Sequence, residues 1–251
     1  MTHFSQTIET APIDPILGLN ELYKKDPNPN KINLGVGVCM DEEGNIPIFK
    51  AVKDAEAHIL KTQTTKTYES MIGSMDFITH TNQLIYGDTL EENKTATAQM
   101  PAGSGALRVG FEYIKANFGT IPIYVPNVTW GNHRGIIGKT GLPIQDYPYY
   151  NSSAQTVDFD DMIATLNGIS GNAVVLLHVI CHNPTGVDLS KEQWQKLADV
   201  FKEKHNLLPF LDCAYQGFAN GLDDDIYAIR HFAEQNLNFI LAYSFSKNMA
   251  L

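Results

Sequence analysis

The sequence contains few cysteines, and the three it has, Cys39, Cys181 and Cys213, are odd in number and widely spaced. Small secreted domains held together by disulfides carry more cysteines at closer spacing, so a reduced compartment is expected. The sequence also lacks a run of the ~20 apolar residues that a membrane span needs. Residues 1–10 lack the basic region and apolar core of an export signal. These absences favour a cytoplasmic protein.

Positive charge is scarce as well. The sequence has 18 lysines and arginines against 28 aspartates and glutamates, which gives a formal net charge of −10. An acidic chain is a poor partner for nucleic acid or for an anionic membrane, so neither is expected to bind. Internal repeats and low-complexity tracts are absent, and 251 residues are enough to bury a substantial core. We therefore expect an ordinary globular protein.

From residue 95 onward, strand-like and helix-like segments alternate. This alternation predicts an α/β fold with a mostly parallel sheet and helices on both faces. The predicted strands are Thr95–Met100, Ile121–Val125, Leu142–Tyr147, Ala173–Val179, Leu207–Leu211 and Phe239–Tyr243, and the predicted helices lie near residues 104–117, 131–140, 158–167, 190–204 and 224–236. In such a sheet, ligands bind at the carboxyl ends of the strands. The residues that follow each strand are therefore the candidate site residues.

The part of the chain before residue 95 is less regular. Two prolines within four residues predict an extended arm, which leads into a short helix around Leu19–Tyr23. Helical spacing of apolar residues predicts further helices over Ile48–Thr62 and Met75–Tyr86. Residues 1–45 are therefore interpreted as an N-terminal arm plus part of a small domain, and residues 46–251 as the large domain.

A single lysine follows the last predicted strand. Lys247 comes directly after Ser246, just beyond the apolar run Phe239–Tyr243. Burial at the end of a core strand disfavours the ammonium form, so it lowers the pKa of a lysine and makes the amine a nucleophile toward an aldehyde. The alternative is a lysine on a solvent-exposed loop.

A turn of small residues, Ala102–Gly105, follows the first predicted strand and leads into a helix. Glycine at position 103 lets the backbone approach a ligand closely, and the free amides at a helix start favour an anion such as phosphate. Ser104 adds a hydroxyl donor. Many turns of this composition only connect two elements. The motif therefore indicates a phosphate site only in combination with others.

Other strand ends carry aromatic and polar side chains. Trp130 can stack on a planar ring or simply pack in the core, and His133 follows three residues later. Asn183 lies in a turn that the next residue, a proline, makes rigid, so its amide can donate to an anionic oxygen. Asp212 ends an apolar strand, where a carboxylate needs a cation or hydrogen-bond donors unless it caps a helix. Tyr215 is placed to present its phenol to the same ligand.

His178, Cys181 and His182 lie close together in the sequence and suggest a metal site. A structural zinc site needs four ligands. No second cluster of cysteine and histidine at suitable spacing supplies the others. We therefore expect no bound metal, with zinc as a minor alternative.

Three motifs in this order and spacing, Asn183–Gly186, Asp212–Phe218 and Ser244–Lys247, resemble those of the fold-type I pyridoxal-phosphate aminotransferases. The resemblance is closest to the aspartate and aromatic amino-acid branch and extends from Asp14 to the end of the chain. It implies that residues 46–251 are a pyridoxal-phosphate-binding large domain that is incomplete at its C-terminus.

The resemblance also implies roles for the candidate residues. Lys247 would form a Schiff base with pyridoxal phosphate and shuttle a proton, and Asp212 would pair with the ring nitrogen. Around the ring, Tyr215 and Asn183 would hold the phenolate oxygen, Trp130 would stack on the ring, and His133 and His178 would orient Asp212. The phosphate would be bound by Gly103, Ser104 and Ser244, and Tyr68 would reach the phosphate of the partner subunit. The substrate pocket would be lined by Gly37, Trp130 and Asn183.

The implied reaction moves the amino group of L-aspartate or an aromatic L-amino acid to 2-oxoglutarate in a homodimer. A lyase or decarboxylase with the same cofactor would use the same lysine and aspartate. Compared with the family, the sequence ends without the arginines that bind the phosphate and the substrate carboxylates, and without an antiparallel strand of the sheet. We therefore expect an N-terminal part of a longer enzyme that is inactive and poorly soluble alone. A non-enzymatic remnant is the alternative.

Overall fold

The computed structural model describes residues 15–32, 41–42, 44–87 and 94–250. The chain divides into two compact units, one that ends at Phe49 and one that begins at Lys50. The arm at residues 1–14 and the predicted pocket residue Gly37 lie outside the described residues. The domain boundary at residues 45 and 46 stays a prediction.

In the first unit, helix α1 spans Pro15–Lys25 and contains the predicted short helix. Lys31 closes the turn that follows. Its ammonium donates to the carbonyls of Tyr23 and Asp26, at 2.7 Å each, and lies 4.5 Å from the centroid of the Tyr23 ring. These bonds satisfy carbonyls at the helix end that have no partner within the helix.

The second unit begins with two helices that the apolar spacing predicted. After them, helices and strands alternate as expected, and five of the six predicted strands lie within two residues of the observed ones. The elements in chain order are α2 (Lys50–Thr62), α3 (Met75–Tyr86), α4 (Ala102–Phe118), β1 (Ile123–Pro126), α5 (Gly131–Thr140), β2 (Ile144–Tyr147), β3 (Tyr150–Asn151), β4 (Thr156–Val157), α6 (Phe159–Gly168), β5 (Ala173–His178), α7 (Lys191–Glu203), β6 (Leu207–Cys213), a short 3-10 helix (Asp224–Ile226), α8 (Tyr227–Glu234) and β7 (Ile240–Tyr243). Within the described ranges, no helix is long and apolar enough to cross a lipid bilayer.

Five strands form one parallel sheet in the order β2-β1-β5-β6-β7, and β3 pairs with β4 as a separate antiparallel ladder. Side chains alternate across the central strand β5. Val174 and Leu176 pack with α4 and α5, whereas Val175 and Leu177 pack with α6, α7 and α8. Helices therefore cover both faces of the sheet, which confirms the predicted α/β class.

Helix α7 shows how local sequence sets an element's position. The Ser190 hydroxyl accepts from the Gln193 amide while the Gln193 side chain accepts from the Ser190 amide, so a capping box starts the helix. Trp194 and Phe201 lie on its buried face, and both rings pack edge to face on Phe232 of α8, at 5.8 and 5.9 Å. The amphipathic pattern thus fixes which face of α7 meets the core.

The predicted strand Thr95–Met100 is wrong, because this segment is not part of the sheet. A strand needs hydrogen-bonded neighbours on the sheet, and these residues bond elsewhere. The Gln99 amide donates to the Ile72 carbonyl at 2.8 Å, and the Thr97 hydroxyl donates to the Asn82 side chain at 3.1 Å.

Strand β7 forms one edge of the described sheet, and most of its side chains are only half-buried.

Helix α4 packs closely on β6 at Gly110. A methyl group there would come within 2.4 Å of the Phe210 ring, which is fully buried against Phe111 at a centroid distance of 4.8 Å. We expect Gly110→Ala to lower the free energy of unfolding by about 1–3 kcal/mol through overpacking, measured by urea denaturation. The matched control is Gly135→Ala in α5, where nothing lies within 4 Å of the added methyl and helix propensity should stabilise by about 0.5–1 kcal/mol. Equal stabilities for the two variants would contradict this packing argument.

Candidate functional site

Several of the predicted site residues lie on loops that follow the strands of the parallel sheet. The loop after β1 carries Trp130, the loop after β5 carries Asn183, the loop after β6 carries Tyr215 and the turn after β7 carries Lys247. Parallel strands end on the same side of a sheet, so these loops meet there. The structure therefore brings together side chains that are more than one hundred residues apart in the sequence.

Asp212 is held by a row of hydrogen bonds that joins three strand ends. Its Oδ2 lies 2.8 Å from Nε2 of His133 in α5, and Nδ1 of His133 lies 2.8 Å from the Thr129 hydroxyl. The same hydroxyl lies 2.9 Å from Nε2 of His178 at the end of β5. The His133 side chain is fully buried, and that of Asp212 is 11% exposed. His133 and His178 thus lie where they can orient Asp212.

An ionised Asp212 fixes the direction of these bonds. A carboxylate only accepts, so His133 donates from Nε2. When the His133 ring is neutral, its Nδ1 accepts from the Thr129 hydroxyl, whose oxygen in turn accepts from Nε2 of His178. Burial, and then the nearby His182 and His133, hold the pKa of His178 well below its usual range. The row therefore orients the carboxylate while His178 stays neutral.

Tyr215 and Asn183 come together from two different loops. Nδ2 of Asn183 donates to the Tyr215 hydroxyl at 3.3 Å, and both residues are half-buried. Burial raises the pKa of Tyr215, the bond from Asn183 opposes that rise, and the charge of Asp212 adds to it. Tyr215 is therefore a neutral phenol at neutral pH, and its own proton is available to an oxygen of a ligand.

Gly103 lies in the first turn of α4, directly beside Ser244. A methyl on Gly103 would come within 3.2 Å of Cβ and 3.5 Å of Oγ of Ser244, so the glycine keeps space open next to that hydroxyl. No side chain caps α4, and no described residue accepts from the amides of Gly103 and Ser104. Free amides at the positive end of a helix dipole attract an anion. This arrangement fits a phosphate.

Lys247 is half-buried in the turn that follows β7. The amide of Met249 donates to the carbonyl of Phe245 at 3.0 Å, and the amide of Ser246 donates to Oγ of Ser244 at 3.2 Å. One hydrogen-bonded turn therefore carries the lysine. Within the described part of the chain, no carboxylate pairs with its ammonium, so the amine is available to a ligand.

Three other predicted site residues have different outcomes. Trp130 immediately precedes α5 and meets the His133 ring edge to face at 5.3 Å, so it lies next to the Asp212 row. The Tyr68 side chain is fully exposed, and the structure does not bring it to the other site residues. Gly37 lies outside the described residues.

The histidines near Cys181 are arranged as a stack. The centroid of the His182 ring lies 4.2 Å from the ring centroids of both His178 and Tyr149. Burial is the main cause that lowers the pKa of His182 to about 4, and the nearby His133 adds to it. Asp188 accepts the backbone amides of Cys181 and His182, at 2.8 and 2.7 Å. Among the residues with described positions, no group of three metal-binding side chains could hold an ion.

Sequence reasoning missed residues that hold the site together. Thr129 joins the two histidines of the Asp212 row, and Gln216, Tyr243 and Asn248 connect the loops around Lys247. Each is next to a candidate site residue in the sequence, and Gln216 lies within one of the quoted motifs without a role assigned to it. Adjacency to a motif was the only signal, and it does not show which neighbours point inward.

Comparison with known proteins identifies one family. The family profile of aminotransferase class I and II matches residues 29–251. An aspartate aminotransferase of Escherichia coli is 43% identical over 249 residues, which cover 98% of this chain and 63% of that protein. The crystal structure of an aromatic-amino-acid aminotransferase from Burkholderia pseudomallei, covalently bound to pyridoxal phosphate, matches with a TM-score of 0.95 at 39% identity and covers 100% of this chain and 63% of that one. An aromatic amino acid aminotransferase from Psychrobacter sp. B6, cocrystallised with aspartic acid, matches with a TM-score of 0.94 at 40% identity, over 99% of this chain and 63% of that one. The chain thus spans less than two thirds of the length of these relatives.

Proposed function

The chain belongs to the class I and II aminotransferases, and we propose that it forms the cofactor-binding part of a pyridoxal-phosphate-dependent transaminase. The family match confirms the resemblance that the motifs indicated. One observation carries the proposal. Asp212 lies near the end of β6, Lys247 lies in the turn after the neighbouring strand β7, and the uncapped start of α4 lies against Ser244, three residues before the lysine.

The residues present fit each part of pyridoxal phosphate. The open space between Gly103 and Ser244 suits the phosphate, and the Asp212 carboxylate suits a protonated ring nitrogen. The phenol of Tyr215 and the amide of Asn183 suit the ring oxygen. When bound, the cofactor supplies an aldehyde that condenses with amines and a ring that withdraws electrons.

In the proposed mechanism, this chain binds and orients the cofactor and moves one proton. Gly103, Ser104 and Ser244 bind the phosphate through backbone amides and hydroxyls. Asp212, oriented by His133, accepts the hydrogen bond of the ring nitrogen and keeps that nitrogen protonated. Nζ of Lys247 would hold the cofactor before substrate arrives and would then, as a free amine, carry a proton from Cα of the substrate to the carbon of the cofactor that carried the aldehyde.

The remaining predicted contacts are part of the same proposal. Trp130 covers one face of the ring, because it immediately precedes α5 and contacts His133 of the Asp212 row. The resemblance assigns Trp130 and Asn183, together with Gly37, to the substrate pocket. His178 acts on Asp212 only through Thr129 and His133.

The proposed substrates are L-aspartate or an aromatic L-amino acid as donor and 2-oxoglutarate as acceptor. Support comes from the relatives, which are named for aspartate and for aromatic amino acids, and from the relative that was crystallised with aspartic acid. We place the protein in the cytoplasm because its few cysteines are typical of a reduced compartment.

The proposed enzyme is a homodimer. Helix α2 has no buried residue, and its Leu60 is 85% exposed. Tyr68 and Met71, in the segment that follows, are almost fully exposed, and such clusters mark contact surfaces. Tyr68 is also the residue that the resemblance directs to the partner's phosphate.

The dimer is tested by sedimentation velocity on a double variant, Tyr68→Asp with Met71→Asp. Two buried carboxylates oppose association, so we expect the variant to sediment as a monomer while the unchanged chain sediments as a dimer. Leu222→Asp, also at an exposed apolar position, should leave the dimer intact. A monomeric unchanged chain would refute this assembly.

The cofactor proposal is tested by adding pyridoxal phosphate to the purified chain. A visible absorbance band is expected, and after borohydride reduction mass spectrometry should find the cofactor attached to Lys247. L-Aspartate or L-phenylalanine is then added. Any change of the band would contradict the expected inactivity of the chain alone, and the more effective amino acid would be the preferred donor. A folded chain that shows neither band nor attachment would overturn the proposal.

A further inference from the structure

We propose that Tyr243 is a positioning residue that holds Lys247 in place through Gln216 and Asn248. The inference rests on the proposed function, in which Lys247 carries the cofactor. Tyr243 is the last residue of β7 and lies four residues before the lysine. Neither the motifs nor the proposed mechanism uses it.

Three side chains link the loop after β6 to the turn after β7. The Tyr243 hydroxyl donates to Oε1 of Gln216 at 2.6 Å and accepts from Nδ2 of Asn248 at 3.2 Å. Nδ2 of Asn248 also lies 3.4 Å from the backbone carbonyl oxygen of Gln216. We call these three residues the tyrosine clamp. Because Asn248 is the next residue after Lys247, the clamp fixes one end of the turn that carries the amine.

The other end of the clamp is rigidly held. Gln216 is 1% exposed, and its Nε2 donates to the Leu222 carbonyl at 2.8 Å, which leaves Oε1 as the acceptor for Tyr243. The amide of Gly217 donates to Oδ2 of Asp225 at 2.8 Å. Asp225 is itself buried and also accepts the amides of Ala219 and Asn220. The clamp therefore joins the lysine turn to a well-bonded loop.

The clamp also fixes the position of the Lys247 amine relative to the Tyr215 phenol. Tyr215 immediately precedes Gln216, just as Lys247 immediately precedes Asn248. Because the Tyr215 hydroxyl accepts from Asn183, a displacement at the clamp changes the position of the amine relative to that hydrogen-bonded pair. Catalytic groups must be held within a fraction of an ångström of their working position. Residues that hold Lys247 in place therefore affect its function.

Loss of the Tyr243 hydroxyl alone would open the clamp. It leaves Oε1 of Gln216 without its donor and takes away the Tyr243 acceptor from Asn248, which already has one buried atom, Oδ1, without a partner. Buried polar atoms without partners are costly, so the turn shifts to let them reach water. The ring itself keeps its edge-to-face contact with Phe245 at 5.0 Å. Tyr243→Phe therefore removes the hydrogen bonds and leaves the aromatic packing.

Tyr147→Phe is the matched control for a purely structural effect. The Tyr147 hydroxyl is also buried and donates to the Leu176 carbonyl at 2.8 Å, but Tyr147 lies in β2 and does not contact the lysine turn. A general loss of stability would affect both variants alike. If Tyr243 positions Lys247, only Tyr243→Phe changes the behaviour of the lysine.

The experiment uses the cofactor-free chain and two readouts at the turn. One is amide hydrogen exchange of residues 245–249, and the other is the rate at which acetic anhydride modifies Lys247, with the exposed Lys139 as internal reference. For Tyr243→Phe we expect both rates to rise at least about fivefold to tenfold, as loss of the two hydrogen bonds of the Tyr243 hydroxyl implies. For Tyr147→Phe both rates should stay within about twofold of those of the unchanged chain. Equal behaviour of the two variants would overturn the proposal.

A second variant and the cofactor separate this proposal from the one on which it rests. Gln216→Leu removes the acceptor of the clamp and should reproduce the effect of Tyr243→Phe, whereas unchanged rates would contradict the clamp. With pyridoxal phosphate added, Tyr243→Phe should also shift the pH midpoint of the visible band, which Tyr147→Phe should not. If the unchanged chain binds no cofactor, the proposed function fails, while the exchange and modification rates still decide whether the clamp holds Lys247.

Discussion

Lys247→Ala is expected to abolish covalent attachment of pyridoxal phosphate to the chain. Only an uncharged amine can condense with the cofactor aldehyde, and Lys247 provides the amine in the turn that follows β7, the strand paired with that of Asp212. The phosphate and ring contacts remain in the variant, so weak non-covalent binding should persist. Borohydride reduction followed by mass spectrometry measures the attachment, and we expect no labelled peptide from residues 244–250.

Two further variants control for charge and for lysine loss in general. Lys247→Arg keeps the positive charge, but a guanidinium stays protonated and is not a nucleophile, so attachment should again be lost. Lys204→Ala removes another half-buried lysine, one that donates to the Asn167 and Ile169 carbonyls, and should retain full attachment at Lys247. A labelled peptide elsewhere in Lys247→Ala would assign the cofactor lysine to another position.

The sheet and its helices could be predicted because local patterns determine them. The six residues of strand β5 are all buried, and the first five form a continuous apolar run. The capping box at Ser190 marks the start of α7. The segment Thr95–Met100 has strand-like composition, yet it lies outside the sheet. Composition expresses a tendency to extend, whereas a strand also requires an edge with free hydrogen-bonding groups beside it. That requirement depends on tertiary structure and cannot be read from the segment itself.

The candidate site was predictable in its residue types but not in its supporting bonds. A lysine, an aspartate and a small-residue turn after strands are visible in sequence because parallel strands share one end. The bond between Thr129 and His178 spans 49 residues, and that between Gln216 and Tyr243 spans 27. Whether such side chains meet depends on sheet order and on which way each loop turns. Order β1-β5-β6-β7 is what places these four positions together.

Asp212→Ala is expected to weaken pyridoxal phosphate binding by at least about 100-fold, because separating a buried ion pair costs about 3–5 kcal/mol. The variant removes the charge opposite the ring nitrogen. It also leaves Nε2 of the fully buried His133 without its acceptor. That unpartnered group should lower the free energy of unfolding of the cofactor-free chain by about 1–3 kcal/mol. Titration of the visible band measures the first effect and urea denaturation the second.

Asp212→Asn separates the two effects, since its amide oxygen can still accept from His133 but carries no charge. Its unfolding free energy should stay within about 1 kcal/mol of that of the unchanged chain, while its cofactor affinity should fall as far as that of Asp212→Ala. Asp146→Ala is the matched control, because Asp146 also ion-pairs at 2.8 Å, with Arg134, but its side chain is 52% exposed. Water screens that pair, so its loss should cost about 0–1 kcal/mol and leave cofactor affinity unchanged. If Asp212→Asn binds the cofactor as tightly as the unchanged chain, the carboxylate charge has no role at the ring nitrogen, and Asp212 serves only to hold His133.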